Sequence, residues 1–201
     1  MALEAITETA EQSRRYSSAL GTSALAAALN TSKITNSEAR DFLWRFMLHR
    51  EVNREFYRRV PAEKLDYRMV DTRTRRSDSP RESLLHQLYV VRNYVHSAKT
   101  SVMQWGPERE ALLMAPALGR WGKQRLLVEM ERTERELVDL LSLADIEARA
   151  VKVPWQDEPL PALRLLDSLI DHEILHTGWN LALIDHLQIE RYPALSRLWG
   201  S

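Results

Sequence analysis

Apolar residues return every three or four positions in four separate stretches of the chain, the period of a helix with one buried side. The first stretch carries Phe42, Phe46, His49, Val52 and Phe56. Thr35 with Glu38 fits a capping box at its start. Pro61 disfavours helical geometry in Val60, so this helix is expected to end near Arg59. The second stretch has the clearest start signal, with Ser79 as N-cap, Pro80 at the first helical position and Glu82 closing the box. Leu84, Leu85, Leu88, Val91, Val95 and Val102 supply its buried side. The third opens near Trp121 and lines one side with Leu126, Leu127, Met130, Leu137, Leu140 and Leu141. Its charge run from Glu129 to Glu136 is expected to face mostly solvent, with pairs such as Glu131 and Arg135 supporting the helix. The fourth runs from about Pro161 to Leu187, and Pro193 is expected to bar a helix through the next turn.

The intervening segments lack that period. Residues 61–78 carry Arg68, Arg73, Arg75 and Arg76 and read as a solvated loop rather than a lip that draws in an anion. Gly106-Pro107 breaks the pattern, so residues 104–118 are expected to be loop with a short helical piece. Residues 142–159 are kept irregular by Pro154 and Pro159, with a short extended piece at Val151–Trp155. No internal repeat is visible. The expected fold is all-α, a four-helix bundle with long crossover connections. Residues 1–33, rich in Ala, Ser and Thr, are expected to be an N-terminal extension, flexible or loosely docked. Residues 34–201 form the bundle domain.

Composition narrows the function. A chain of 201 residues with 44% hydrophobic and 28% charged residues suits one soluble globular domain. A formal net charge of +0 gives no reason to expect a nucleic-acid partner. No run is long and apolar enough for a membrane span, and no signal peptide is apparent, so a cytoplasmic protein is expected. The chain has no cysteine, which excludes disulfides, zinc–thiolate sites and a protein thiol nucleophile.

The chemistry concentrates at Asp171-His172-Glu173-Ile174-Leu175-His176. Histidines four apart on a helix point the same way, so both imidazoles can reach one metal ion. The pattern is H-E-x-x-H, a known zinc signature, and it needs a third ligand. His49 lies on an apolar stripe and reads as a core or boundary residue. His86 faces inward near a helix start on a separate element. His96 is rotated from it by roughly 80° and displaced by about 15 Å, and His186 lies about 21 Å from His172 along its helix. In a zinc peptidase Glu173 would be the general base. The extended H-E-x-x-H-x-x-G-x-x-H form fails, because Trp179 and Ala182 stand where Gly and His belong. A late carboxylate, Glu190, lies beyond the expected helix end, and no sheet is expected to hold a peptide. On a bundle helix Glu173 is turned by roughly 100° from His172, a surface position or one beside the ligands.

Four passages together resemble the DinB/YfiT-like family of metal-binding four-helix bundles. They are Val60–Arg68, Ser79–His86, Leu126–Leu141 and His172–Gly178, in that order and spacing. The resemblance implies that His86, His172 and His176 bind one divalent metal, zinc or nickel first of all, with open positions for water or substrate. It implies a metal-dependent enzyme, a thiol S-transferase using a low-molecular-weight thiol or a hydrolase, acting on a small molecule as a homodimer. The alternatives are a non-catalytic, stress-associated metal-binding protein and the H-E-x-x-H peptidase, for which Glu173 is the weak catalytic candidate. Trp179 departs from the family, which often has Gln there. Three neutral imidazoles leave a coordination position open, as in catalytic rather than structural zinc sites. Glu82, Asp167 and Asp171 are the candidates to hold the ligands' outer nitrogens.

Overall fold

The structure, a computed structural model, describes residues 29–114 and 120–199. Most of the expected extension, residues 1–28, lies outside them. Four long helices carry the domain: α1 (Ser37–Arg59), α2 (Pro80–Thr100), α4 (Lys123–Leu141) and α5 (Ala162–His186). A short α3 (Pro107–Met114) precedes α4, and α6 (Pro193–Trp199) follows α5. The irregular segment before α5 closes on itself through two-residue strands, β1 (Ala150–Val151) and β2 (Leu160–Pro161), paired antiparallel.

The caps explain the boundaries. Asn36, not Thr35, caps α1, its side chain accepting from the Ala39 amide at 2.8 Å. The capping box of Ser79 and Glu82 at α2 is present as the sequence predicts, with Pro80 in the first turn. That helix stops at Ser101, whose φ of 62° is left-handed and cannot continue an α-helix. Val102 therefore falls outside α2 and is 50% exposed, not part of its buried side. Pro193 opens α6 rather than barring it, because proline at a first helical position lacks only an amide that would be unpaired anyway.

Both α1 and α2 pack against α4 and α5, so α1 and α2 occupy opposite corners of the bundle. Contacts fix the directions. Arg45 meets Asp167 and Arg50 meets Glu173, so α1 and α5 run parallel. Ser83 meets His176 and His86 meets His172, so α2 runs against α5. Lys123 bonds the carbonyls of Arg58 and Val60, and Arg50 meets Glu134, so α4 runs against α1. Two parallel neighbours, α2 and α4, must be joined by a chain that returns along the bundle. The short helix α3 lies on that return.

The core has two apolar clusters with a polar layer between them. Phe42, Phe46, Val91, Leu137, Leu166 and Leu169 belong to one cluster. Val52, Phe56, Leu84, Leu126, Met130 and Leu183 belong to the other. Between them lie Arg50 and Arg54 of α1, Glu134 of α4 and Glu173 of α5, each at most 1% exposed. Arg50 pairs with Glu173 at 2.6 Å and with Glu134 at 3.3 Å, and Arg54 also pairs with Glu134. Asn53 donates to the Glu173 carboxylate at 2.7 Å, while Thr177 and Asn180 donate to Asn53 Oδ1. The charge run of α4 is therefore not wholly solvated: Glu134 sits in this layer, and Glu129 is buried against Arg92 and Arg125. Arg68 likewise is tied down in its loop by Glu82 and the Ser77 carbonyl, leaving Arg73, Arg75 and Arg76 exposed.

Candidate metal centre

His172 and His176 lie one turn apart on α5 and face α2. His86, near the start of α2, faces back at them. His172 Nε2 stands 3.0 Å from His86 Nε2 and 3.2 Å from His176 Nε2. One ligand atom from each of the three lies within 4.8 Å of the others, the one such group of His, Asp or Glu among the described residues. Metal–nitrogen bonds of about 2.0–2.1 Å at a tetrahedral angle put neighbouring nitrogens roughly 3.3 Å apart. The observed spacings are close to that.

Proton placement makes the same point. An ionised carboxylate only accepts, so Glu110 beside His86 Nδ1 favours the proton on that nitrogen, and in the neutral ring this is the tautomer that bares Nε2. Ser83 Oγ sits 3.0 Å from His176 Nδ1 and accepts its proton in the tautomer that bares Nε2. Burial holds His172 down to about 4, and burial with the neighbouring imidazoles holds His176 down to about 2. Both rings are therefore neutral at pH 7. Neutral imidazole nitrogens gathered at one point are the ligands a divalent metal takes, so this donor set fits such an ion.

The site opens to solvent on two sides. A cleft of about 360 Å³ is lined by His86, Glu110, Glu82, Asp78 and Met114. A smaller one of about 140 Å³ is lined by His176, Ser83, Asp78, Leu175 and Trp179. Trp179 forms a wall of the second cleft, and Asp78 lines both.

The other candidates fall elsewhere. His49 is a boundary residue, with Nδ1 buried and unpartnered among the described residues. His96 is exposed, and His186 lies tilted beside Tyr67 with its Nδ1 3.4 Å from the phenol oxygen. Glu82 is spent on the α2 cap and Arg68, and Asp167 pairs with Arg45. Asp171 is exposed. None of the three holds a ligand's outer nitrogen. That part is played by Glu110 and Ser83, while His172 Nδ1 is buried without a partner among the described residues. Glu173 directs its carboxylate to Arg50 and Asn53, on the face of α5 turned away from the ligands. Ser83 was within reach of sequence reasoning, one turn before His86 on the same helix. Glu110 was not, because nothing local says that α3 folds back over α2.

Among solved structures, the crystal structure of a DinB-like protein (YjoA) from Bacillus subtilis is similar, with a TM-score of 0.54 at 17% identity. The match covers 76% of this chain and 95% of that one. No family model matches the chain, and no curated protein does. At that identity the likeness concerns the fold: this chain has the all-helical, DinB-like fold that its four sequence passages imply.

Proposed function

We propose that this protein binds one divalent metal ion, zinc or nickel, through His86, His172 and His176, and is a metal-dependent enzyme acting on a small molecule. The observation that carries this reading is the convergence of three Nε2 atoms, at 3.0 and 3.2 Å, beside two open clefts. Such an ion supplies Lewis acidity that makes a water or thiol nucleophilic near neutral pH. Glu110 and Ser83 hold two ligand rings in orientation. Asp78, exposed and lining both clefts, is placed to exchange protons with a reactant at the site. With no cysteine in the chain, a sulfur nucleophile has to come from an external low-molecular-weight thiol, and transfer of that thiol is the first reaction to test, hydrolysis the second. The homodimer implied by the resemblance, and the cytoplasmic location expected from the sequence, belong to the same proposal.

A peptidase role for Glu173 lacks support. A general base must reach the reacting water, and this carboxylate is buried in an ion pair with Arg50. The described residues also offer only two-residue strands to hold a peptide.

The test is elemental analysis of untagged protein beside His86→Ala. About one zinc or nickel per chain, lost in the variant, is expected. No metal after reconstitution with several divalent ions overturns the reading. Bound metal without turnover in thiol-transfer and hydrolysis screens leaves a non-catalytic metal-binding protein.

A further inference from the structure

A second cavity, of about 200 Å³, lies between α2, α3 and the segment before α4. Leu85, Leu88, Met114 and Trp121 give it apolar walls. Of the five polar side chains that also line it, Arg92 and His96 among them, three have an atom that is buried and unpartnered among the described residues: Tyr89 Oη, Asn93 Oδ1 and Arg109 Nε. Tyr89 and Asn93 are themselves 5% and 4% exposed. Unpaired buried polar atoms are costly, and three around one cavity mark a site whose occupant satisfies them.

The groups cannot turn away to satisfy themselves. Asn93 Nδ2 is held by the Gln104 carbonyl at 3.0 Å, which fixes the amide with Oδ1 as the free end. Gln104 also holds Arg109, through its side-chain oxygen. The charge of Arg109 has no carboxylate partner among the described residues, whereas that of Arg92, on the same wall, is matched by Glu129 and Glu136. The unmet demands therefore differ. Arg109 Nε–H needs an acceptor, best an anion, Asn93 Oδ1 needs a donor, and Tyr89 Oη takes either. Size limits the rest, since an apolar cavity of about 150 Å³ accommodates one benzene ring.

We propose that this cavity binds a single-ring organic acid that also carries a hydroxyl or amine donor, with the acid on Arg109, the donor on Asn93 and the ring against Leu88 and Trp121. Met114 lines both this cavity and the cleft at His86, so the two sites are neighbours. The inference does not rest on the metal reading.

The test is calorimetric titration of the full chain with 4-hydroxyphenylacetate and with 4-ethylphenol, which keeps the ring and lacks the acid. Saturable one-to-one binding of the acid is expected, about tenfold or more tighter than that of 4-ethylphenol. Arg109→Gln is expected to weaken the acid by a similar factor, with unchanged circular dichroism and melting. Should that variant melt early, the two probes on the unmutated chain decide. Removal of metal with EDTA, and His86→Ala, are expected to leave affinity unchanged. No saturable binding of the acid, equal affinity for both probes, or equal affinity in a folded Arg109→Gln overturns the proposal. Loss of binding on metal removal also overturns it by placing the acid on the metal, and leaves the metal reading standing.

Discussion

Replacing Glu173 by glutamine separates its two possible roles, general base and structural anion. The carboxylate accepts from Arg50 at 2.6 Å and from Asn53 at 2.7 Å, and both partners of the ion pair are 0% exposed. In the buried layer the charges of Arg50 and Arg54 meet Glu134 and Glu173, and Arg54 also pairs with the half-buried Glu51 at its edge. Glutamine keeps the size and removes one charge, so Arg50 then shares Glu134 with Arg54, which also keeps Glu51. Removing one partner of a buried ion pair costs about 3–5 kcal/mol. The low end applies, because Arg50 keeps Glu134 at 3.3 Å and Thr133 at 3.1 Å. The expected loss is about 3 kcal/mol, or roughly 6–12 °C in Tm for a domain of this size. Urea unfolding of metal-free protein, followed by tryptophan fluorescence and by circular dichroism, measures it. Arg50→Met alone should cost a similar amount. Arg50→Met with Glu173→Leu should cost less than the two singles added, since each single strands a charge that the double removes. A Glu173→Gln variant within about 0.5 kcal/mol of the parent, the range of an ordinary surface substitution, refutes the buried-pair argument. If that stable variant also lost hydrolytic turnover, the general-base role would return.

Three further outcomes follow from the site. His172→Ala should abolish stoichiometric metal binding while His96→Ala and His186→Ala keep it, read by elemental analysis; retention in the first or loss in the others means the ligands are misassigned. Glu110→Ala should weaken metal affinity by about 10–100-fold without abolishing binding at saturation, as for other outer partners of ligating histidines, and unchanged affinity in a chelator competition argues against that role. Metal-free protein should lose stability as pH falls below about 6.5. The unfolded chain then takes up protons at His172 and His176, while the folded chain resists until about 4 at His172 and about 2 at His176. Urea midpoints at pH 7, 6 and 5 should fall in order, and a flat series means these rings are not buried neutral.

Local signals determined what could be read from the chain alone. The α2 boundary was legible because its cap, first-turn proline and box act within four residues. The pairing of His172 with His176 was legible because it needs only helical spacing. What failed depends on which helices meet. Glu134 belongs to a run that looks solvated, and it is buried only because α1 brings Arg50 and Arg54 opposite. Glu110 reaches His86 only because α3 packs over α2. Thr35 and Asn36 are both good caps, and the choice of Asn36 was a one-residue matter that spacing does not resolve.

The polar layer and the metal centre share the same turn of α5. His172 and His176 face α2, while Glu173 and Thr177, each one residue further on, face α1. A step of about 100° per residue makes this a property of the helix itself. An apolar core of the right volume loses uniqueness and rigidity before it loses stability, so apolar packing alone specifies helix rotation weakly. The layer specifies it strongly, because Glu173 must meet both Arg50 and Asn53, and Asn180 and Thr177 must both meet Asn53 Oδ1. A rotation of α5 that spoils those bonds also swings the histidines away from His86. The buried pairs therefore set the register and rotation at which three ligand nitrogens coincide. Arg50→Met with Glu173→Leu is then expected to recover stability relative to the singles and yet to bind metal more weakly than the parent. Parental affinity in that double variant would show that packing alone fixes the helix.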